Sequence, residues 1–212
     1  MITLELRKQY RTMYNPSARE VQLVDVPPLQ FLRINGAIEP GQGPGTSPGF
    51  QEAMEALYGA AYTLKYLFKK RATDPVDYPV MVLEGLWWVE DGQFNIEIKD
   101  NWLYTLMIVQ PDVVTPAHFT EALEQMRKKK GDLPAFARLR LETFHEGPSI
   151  QVMHIGPYAS EPATVQRMHE FAGQHGLRLR HDHHEIYMGD PRRADPAKLK
   201  TILRHPVEPL ET

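Results

Sequence analysis

A carboxylate and a phenol stand two residues apart in His183-His184-Glu185-Ile186-Tyr187-Met188-Gly189-Asp190-Pro191, a run that predicts a strand followed by a turn. Side chains alternate along a strand, so His183, Glu185 and Tyr187 share one face while His184, Ile186 and Met188 take the other. A carboxylate beside an aromatic ring can act as base, as acid or as partner to a cation. It can equally be a solvated surface residue, because Glu is seldom buried without a partner. What weighs toward a site is an earlier echo, Leu83-Glu84-Gly85-Leu86-Trp87-Trp88, which again sets a Glu among aromatics. The run from Tyr78 to Val89 is apolar on both faces apart from Glu84 and predicts a central strand. A carboxylate inside it must find hydrogen bonds or a cation, or else keep its proton. Asp91-Gly92 signals a turn, with Asn101 to Val109 as the antiparallel return. Trp87, Trp88, Trp102 and Tyr104 then converge on one region, either as aromatic core or as the walls of a pocket.

Other chemistries find less support. His181, His183 and His184, with His154 and Glu185, pose the question of a metal, since histidines two apart on a strand can share one ion. No H-E-x-x-H helix accompanies them, and no metal ligand set is assigned. The loop Gly41-Gln42-Gly43-Pro44-Gly45-Thr46-Ser47-Pro48-Gly49 precedes a helix but lacks the Gly-Lys-Ser/Thr ending of a phosphate cradle, so it reads as a lid or linker. There is no G-x-S-x-G elbow for a serine hydrolase. No cofactor is expected.

The elements that must position these residues follow from periodicity. Ser47 and Pro48 make an N-cap and first turn, after which Phe50, Met54, Leu57, Tyr58, Ala61, Leu64 and Phe68 recur at helical spacing up to Lys69-Lys70-Arg71. Tyr62 and Tyr66, four apart, form a second aromatic edge that lines a cleft or simply packs. Thr115-Pro116 opens a second helix; its closing Arg127-Lys128-Lys129-Lys130-Gly131 suits the C-terminal dipole and reads as a solvated end. Val21 to Val26, Phe31 to Gly36, Ala137 to Phe144 and Ile150 to Tyr158 predict strands, with a shorter helix after Ser160-Glu161-Pro162 bearing Val165, Met168 and Ala172. Two similar units emerge, each strand, helix, strand, strand, and a pseudo-twofold between them would bring matching faces together. Residues Met1 to Ser17 read as an arm lying over the core.

Composition sets the limits. The 212 residues, 42% hydrophobic, are enough for one sizeable core. A formal net charge of −3, with 24 Lys and Arg against 27 Asp and Glu, leaves no electrostatic footprint for nucleic acid or an acidic membrane. With 0 cysteines there is no disulfide framework, thiolate nucleophile or cysteine zinc site. The N-terminus shows no signal peptide and no run long enough to span a bilayer, so a cytoplasmic location is expected.

The ordered set Glu84-Gly85-Leu86-Trp87-Trp88, Glu146-Gly147, Gln151, His154-Ile155-Gly156-Pro157-Tyr158, His183-His184-Glu185-Ile186-Tyr187, Asp190-Pro191-Arg192-Arg193 and Leu199-Lys200-Thr201-Ile202-Leu203-Arg204 resembles the GyrI-like small-molecule-binding proteins. More narrowly, it is similar to the stand-alone branch that includes cyclopropanoid hydrolases. The likeness runs from about Val21 to Val207. It implies an α+β fold over 1–212: duplicated strand-helix-strand-strand units, about 21–110 and 148–207 with a connection between them, forming an antiparallel sheet with helices packed on it and a cleft near the pseudo-twofold. Relatives serve as effector-binding parts of multidrug-sensing regulators and include an inhibitor of DNA gyrase. Unlike the regulators, this chain has no basic helix-turn-helix segment. The expected ligand is a hydrophobic, aromatic or cationic small molecule, contacted by Glu84, Trp87, Trp88, Trp102, Tyr104, Tyr62, Tyr66, Glu146 and Tyr158. For some members the resemblance implies hydrolysis of a reactive cyclopropanoid: Glu185 would activate water, and Tyr187 or His154 would stabilise the oxygen that gains charge. The alternative is a non-catalytic effector-binding or gyrase-interacting protein.

Overall fold

The computed structural model describes residues 1–90 and 101–210, so the Asp91-Gly92 turn lies outside the described residues. The arm carries β1 (Ile2–Thr3), α1 (Leu6–Gln9) and α2 (Arg11–Tyr14). A first unit follows with β2 (Gln22–Val26), β3 (Leu29–Ala37), α3 (Pro48–Lys69), β4 (Val76–Asp77), β5 (Glu84–Trp88) and β6 (Leu103–Val109). The helices α4 (Pro116–Lys130) and α5 (Pro134–Arg138) connect it to a second unit of β7 (Arg140–Phe144), β8 (Gly147–Ile155), α6 (Glu161–Gln174), β9 (Leu177–Leu179), β10 (His183–Tyr187) and β11 (Lys200–Pro209). Two short 3-10 turns, at Tyr158–Ser160 and Pro196–Lys198, lead into α6 and β11.

The helix starts follow their caps. Ser47 Oγ accepts from the Phe50 amide at 3.1 Å, and Thr115 Oγ1 from the His118 amide at 3.4 Å, each with a proline at the first helical position. Along α3, Phe50, Ala53, Leu57, Ala60, Ala61, Leu64 and Phe68 form the buried stripe.

Two runs differ from expectation. The stretch from Tyr78 becomes strand only at Glu84; before it, Pro79 donates no hydrogen bond and Lys65 Nζ takes the Tyr78 carbonyl. Ala137 and Arg138 close a short helix opened by Pro134 instead of beginning the next strand.

The main sheet runs β2-β8-β11-β10-β5-β6-β3-β7, antiparallel throughout, with β9 beside β11. Its order reads alike from both ends. The strand leading each unit is exchanged: β2 pairs with β8 of the second unit, and β7 with β3 of the first. At the middle, β5 and β10 meet with His183 opposite Trp87, His184 opposite Leu86, Glu185 opposite Gly85 and Ile186 opposite Glu84.

Both long core helices lie on one face. Phe50 of α3 packs on Trp87 and Tyr104, while Thr164 of α6 reaches His154. The register places Trp87, Tyr104, Thr201 and His154 on that same face. The arm covers the opposite face, where Arg204 donates to the Met13 carbonyl and Gln151 to that of Thr12. Among the described residues, no helix is long and apolar enough to cross a membrane.

Candidate functional site

The β5–β10 seam brings Trp87, Glu185, Tyr187 and His183 onto the helix-covered face, between α3 and α6. One half of this buried cluster is aromatic. Trp87, 2% exposed, stacks on Phe50 with ring centres 5.7 Å apart and meets Trp102 edge-on at 5.4 Å and Tyr104 at 5.9 Å. Each such pair contributes about 0.5–1.5 kcal/mol beyond burial, so the indole is held rigidly. Its Nε1 donates to the Tyr187 hydroxyl at 2.9 Å. That contact passes over Gly85, where a Cβ would stand 2.9 Å from Trp87 Nε1 and 3.2 Å from the Tyr187 oxygen. Only glycine leaves the passage open.

The other half is acidic. Glu185 is 7% exposed, with His183 Nε2 at 3.4 Å from Oε1. Glu161, the first residue of α6, is 1% exposed. Burial, reinforced by the negative charge of Glu185 and opposed by a hydrogen bond with Thr201, pushes its carboxyl up to about 9. At neutral pH the protein therefore holds a protonated carboxyl beside Glu185. Burial, followed by the charge and hydrogen bond of Glu185, also lifts Tyr187 well above the ordinary phenol range. Tyr158 is pushed up to about 12 by burial and by Glu185, Glu161 and Asp190. Its half-exposed ring stands edge-on to Tyr187 at 6.0 Å, between the buried cluster and solvent.

His154 shares this face but is fully engaged. Its Nδ1 lies 2.9 Å from Thr164 Oγ1, and its Nε2 3.2 Å from Ser160 Oγ and 3.3 Å from the Pro157 carbonyl. Burial lowers its pKa, against the opposing pull of the Pro157 carbonyl and Glu185. The imidazole is thus neutral at neutral pH and pins the turn that carries Tyr158 and Glu161.

Several expected contacts are not brought here. Glu84 is one residue out of step with Glu185: it opposes Ile186, and strand alternation turns it to the arm side. There Tyr14 Oη donates to its Oε1 at 2.6 Å, and His184 Nε2 lies 3.0 Å from its Oε2. His184 Nδ1 reaches Glu146 Oε1 at 2.9 Å, and Arg204 reaches Glu146 Oε2 at 3.2 Å. Burial opposes the charge on His184, but Glu146 and Glu84 outweigh it and raise the imidazole to about 9. Burial likewise opposes the charge on Glu146, and His184 and Arg204 outweigh it to hold the carboxyl at about 2. Glu84, His184, Glu146 and Arg204 thereby form one buried polar chain under the arm. Glu84 and Glu146 are corrected to this internal network. Trp88, paired with Leu103, turns to the same side by alternation. Tyr62 and Tyr66, 49% and 48% exposed, line an outer groove between α3 and α4 with Lys70 and Glu121.

His183 and His184 project from opposite faces. Among the described residues, no three or more His, Cys, Asp or Glu side chains are grouped so as to hold a metal ion. Glu161 was legible only as part of a cap. The signal that finds it is its place in the buried stripe Glu161, Thr164, Met168 and Ala172, where a carboxyl on a core-facing position demands a reason.

Residues 19–208 match the model of the GyrI-like small molecule binding domain. The chain is 38% identical, with TM-score 0.86, to an uncharacterized conserved protein from Listeria innocua, over 97% of this chain and 100% of that one. It is 37% identical, with TM-score 0.83 and the same coverage, to a hydrolase from Listeria innocua. The C-terminal domain of EcmrR shares the fold alone, at 12% identity and TM-score 0.53 over 90% of this chain and 98% of that one. No curated protein matches the chain.

Proposed function

This chain belongs to the GyrI-like small molecule binding domain family, and from that premise we propose that it is a cytoplasmic protective hydrolase. Its cleft takes up flat apolar or cationic xenobiotics and adds water to reactive cyclopropanoid ones. The observation that carries the reading is Glu185, buried between an aromatic wall and an acidic one and flanked by a Tyr187 hydroxyl tethered to Trp87. The aromatic half gives a planar ligand stacking and apolar burial. The acidic half attracts positive charge developing on an electrophilic carbon, in surroundings of low dielectric. Similarity at 37% identity to a protein described as a hydrolase adds weight.

The chemistry follows from the placement. Glu185 accepts a proton from water as the water oxygen bonds to the strained ring carbon. The cyclopropane carbon–carbon bond breaks, and its electron pair passes through the conjugated dienone to the carbonyl oxygen. Tyr187, whose hydroxyl hydrogen rests on Glu185 before reaction, turns it to that oxygen as the oxygen gains charge. Relief of ring strain supplies much of the driving force. His154 acts as a positioning residue, because both its nitrogens already hold the turn before α6.

Glu185→Gln tests the assignment, since glutamine is nearly isosteric and accepts no proton. With a DNA-alkylating cyclopropyl-dienone as substrate, turnover falls at least ~10²-fold, while ligand-induced quenching of tryptophan fluorescence and the unfolding midpoint persist. Undiminished turnover in the variant removes Glu185 from the chemistry. A compound that quenches wild-type fluorescence yet stays intact makes the chain a binding or sensing module instead.

A further inference from the structure

We propose that Glu161 is a further catalytic residue of this cleft, the acid that protonates the substrate oxygen on which charge develops when Glu185-activated water attacks. The inference rests on the hydrolase reading and adds to it the group that completes the proton inventory. Glu161 stands at the start of α6, 1% exposed. Its Oε1 is buried without a hydrogen-bond partner among the described residues. A buried carboxyl oxygen with no partner is costly, and a purely structural residue at this position would be apolar or fully satisfied. Glu146 is the opposite case, both its oxygens being met by His184 and Arg204, while Glu84 takes a hydrogen bond from Tyr14 on Oε1 and has the His184 ring 3.0 Å from Oε2. The arm-side carboxyls thus stand against cationic side chains, whereas Glu161, on the helix-covered side, makes no ion pair among the described residues. A helix N-terminus ordinarily favours the ionised form of an acid. Here burial and Glu185 override it, and the proton is retained.

The step balances. Before reaction the two carboxyl groups hold one proton between them, on Glu161. Glu185 takes a proton from water, the remaining hydroxyl bonds to carbon, and the ring bond opens toward the carbonyl. Glu161 gives its proton to that oxygen, which becomes a phenol. One water has been added, and the pair again holds one proton, now on Glu185. Its transfer back to Glu161, directly or through a single water, restores the starting state without an outside acid. A carboxyl that keeps its proton beside a second that serves as base is a recurrent arrangement for acid and base at one centre.

The groups facing Glu161 are Glu185 and Tyr187 from β10, Tyr158 from the preceding turn and Thr201 from β11. His154 of β8 stands beyond them and is neutral in the relevant range. His184 also titrates at about 9 but projects from the other face of the sheet.

The test is kcat against pH for the full-length wild type, Glu161→Gln and Thr201→Val with a cyclopropyl-dienone substrate, and fluorescence quenching reports binding. In the wild type, kcat falls as pH rises through about 9, where the donor loses its proton. Glu161→Gln binds as before, turns over ~10²-fold more slowly, and lacks the alkaline fall. Thr201→Val removes a hydrogen bond favouring the ionised acid, so the fall moves to higher pH. Wild-type kcat in Glu161→Gln, or an alkaline fall that survives in it, overturns the proposal and points to His184. Should that variant not fold, an unmoved fall in Thr201→Val overturns it equally. The hydrolase reading fails by a separate sign: wild type that binds the compound and leaves it intact.

Discussion

Glu161 costs the folded chain stability at neutral pH, and the sign follows from linkage. Its carboxyl is raised from 4.5 to about 9 on folding, so the native state binds a proton that the unfolded state releases. The contribution of this group is fully present below 4.5 and is lost progressively as pH rises through about 9. Glutamine at this position has no proton to lose. We expect Glu161→Gln to be more stable than wild type at pH 7 by ~1–3 kcal/mol, scaled from 1.36 kcal/mol per pKa unit and read as a higher urea midpoint at unchanged slope. Equal or lower stability would mean that the carboxyl is satisfied by contacts that glutamine cannot make. A stabilising substitution that lowers turnover is what a residue kept for chemistry gives. Residue types alone pointed to Glu185 and Tyr187, because a Glu two positions before a Tyr on a strand shares its face. They did not point to Glu161, whose burial depends on which side of α6 meets the sheet.

At the scale of elements, the alternation of two central strands decides which residues share the helix-covered face. Glu185 opposes Gly85 while Ile186 opposes Glu84, and that single step separates Glu185 from the buried His184 network. The repeated Glu-aromatic pattern was visible in the sequence, but its register was not. Matching Glu84 with Glu185 is off by one position, and one position exchanges faces. In space the partner of Glu185 across the seam is a glycine, which gives Trp87 and Tyr187 room to hydrogen-bond. Gly85→Ala would put a methyl group 2.9 Å from Trp87 Nε1 and 3.2 Å from the Tyr187 hydroxyl. Overpacking of this kind costs ~1–3 kcal/mol. The variant should show a lower unfolding midpoint together with a shifted tryptophan emission maximum, as the indole loses its acceptor. Unchanged emission would show that the Trp87–Tyr187 hydrogen bond does not hold the aromatic wall. The capped helices were legible because Ser47-Pro48 and Thr115-Pro116 carry their signals locally. The strand bounds near Pro79 and Pro134 were not, since prolines and the Lys65 contact set them.

For the whole molecule, exchange of β2 and β7 makes each half of the sheet depend on the other unit's chain. The Glu185 cluster lies on the seam between the halves, with α3 over one side and α6 over the other. The two sides have diverged in chemistry: Phe50, Trp87, Trp102 and Tyr104 fill one, whereas His154, Glu161, Glu185 and Thr201 occupy the other. Duplication and fold class were legible from the repeated strand-helix-strand-strand pattern and from the resemblance it supported. The division into aromatic and acidic walls was not, because it arises only when non-adjacent strands pair. Mass-resolved hydrolysis in heavy-oxygen water tests the central claim most directly, with purified wild type and a cyclopropyl-dienone compound. The account predicts a product heavier by one water, its new hydroxyl labelled from solvent, at a rate that collapses in Glu185→Gln. Substrate recovered unlabelled and intact while bound to folded protein would contradict it.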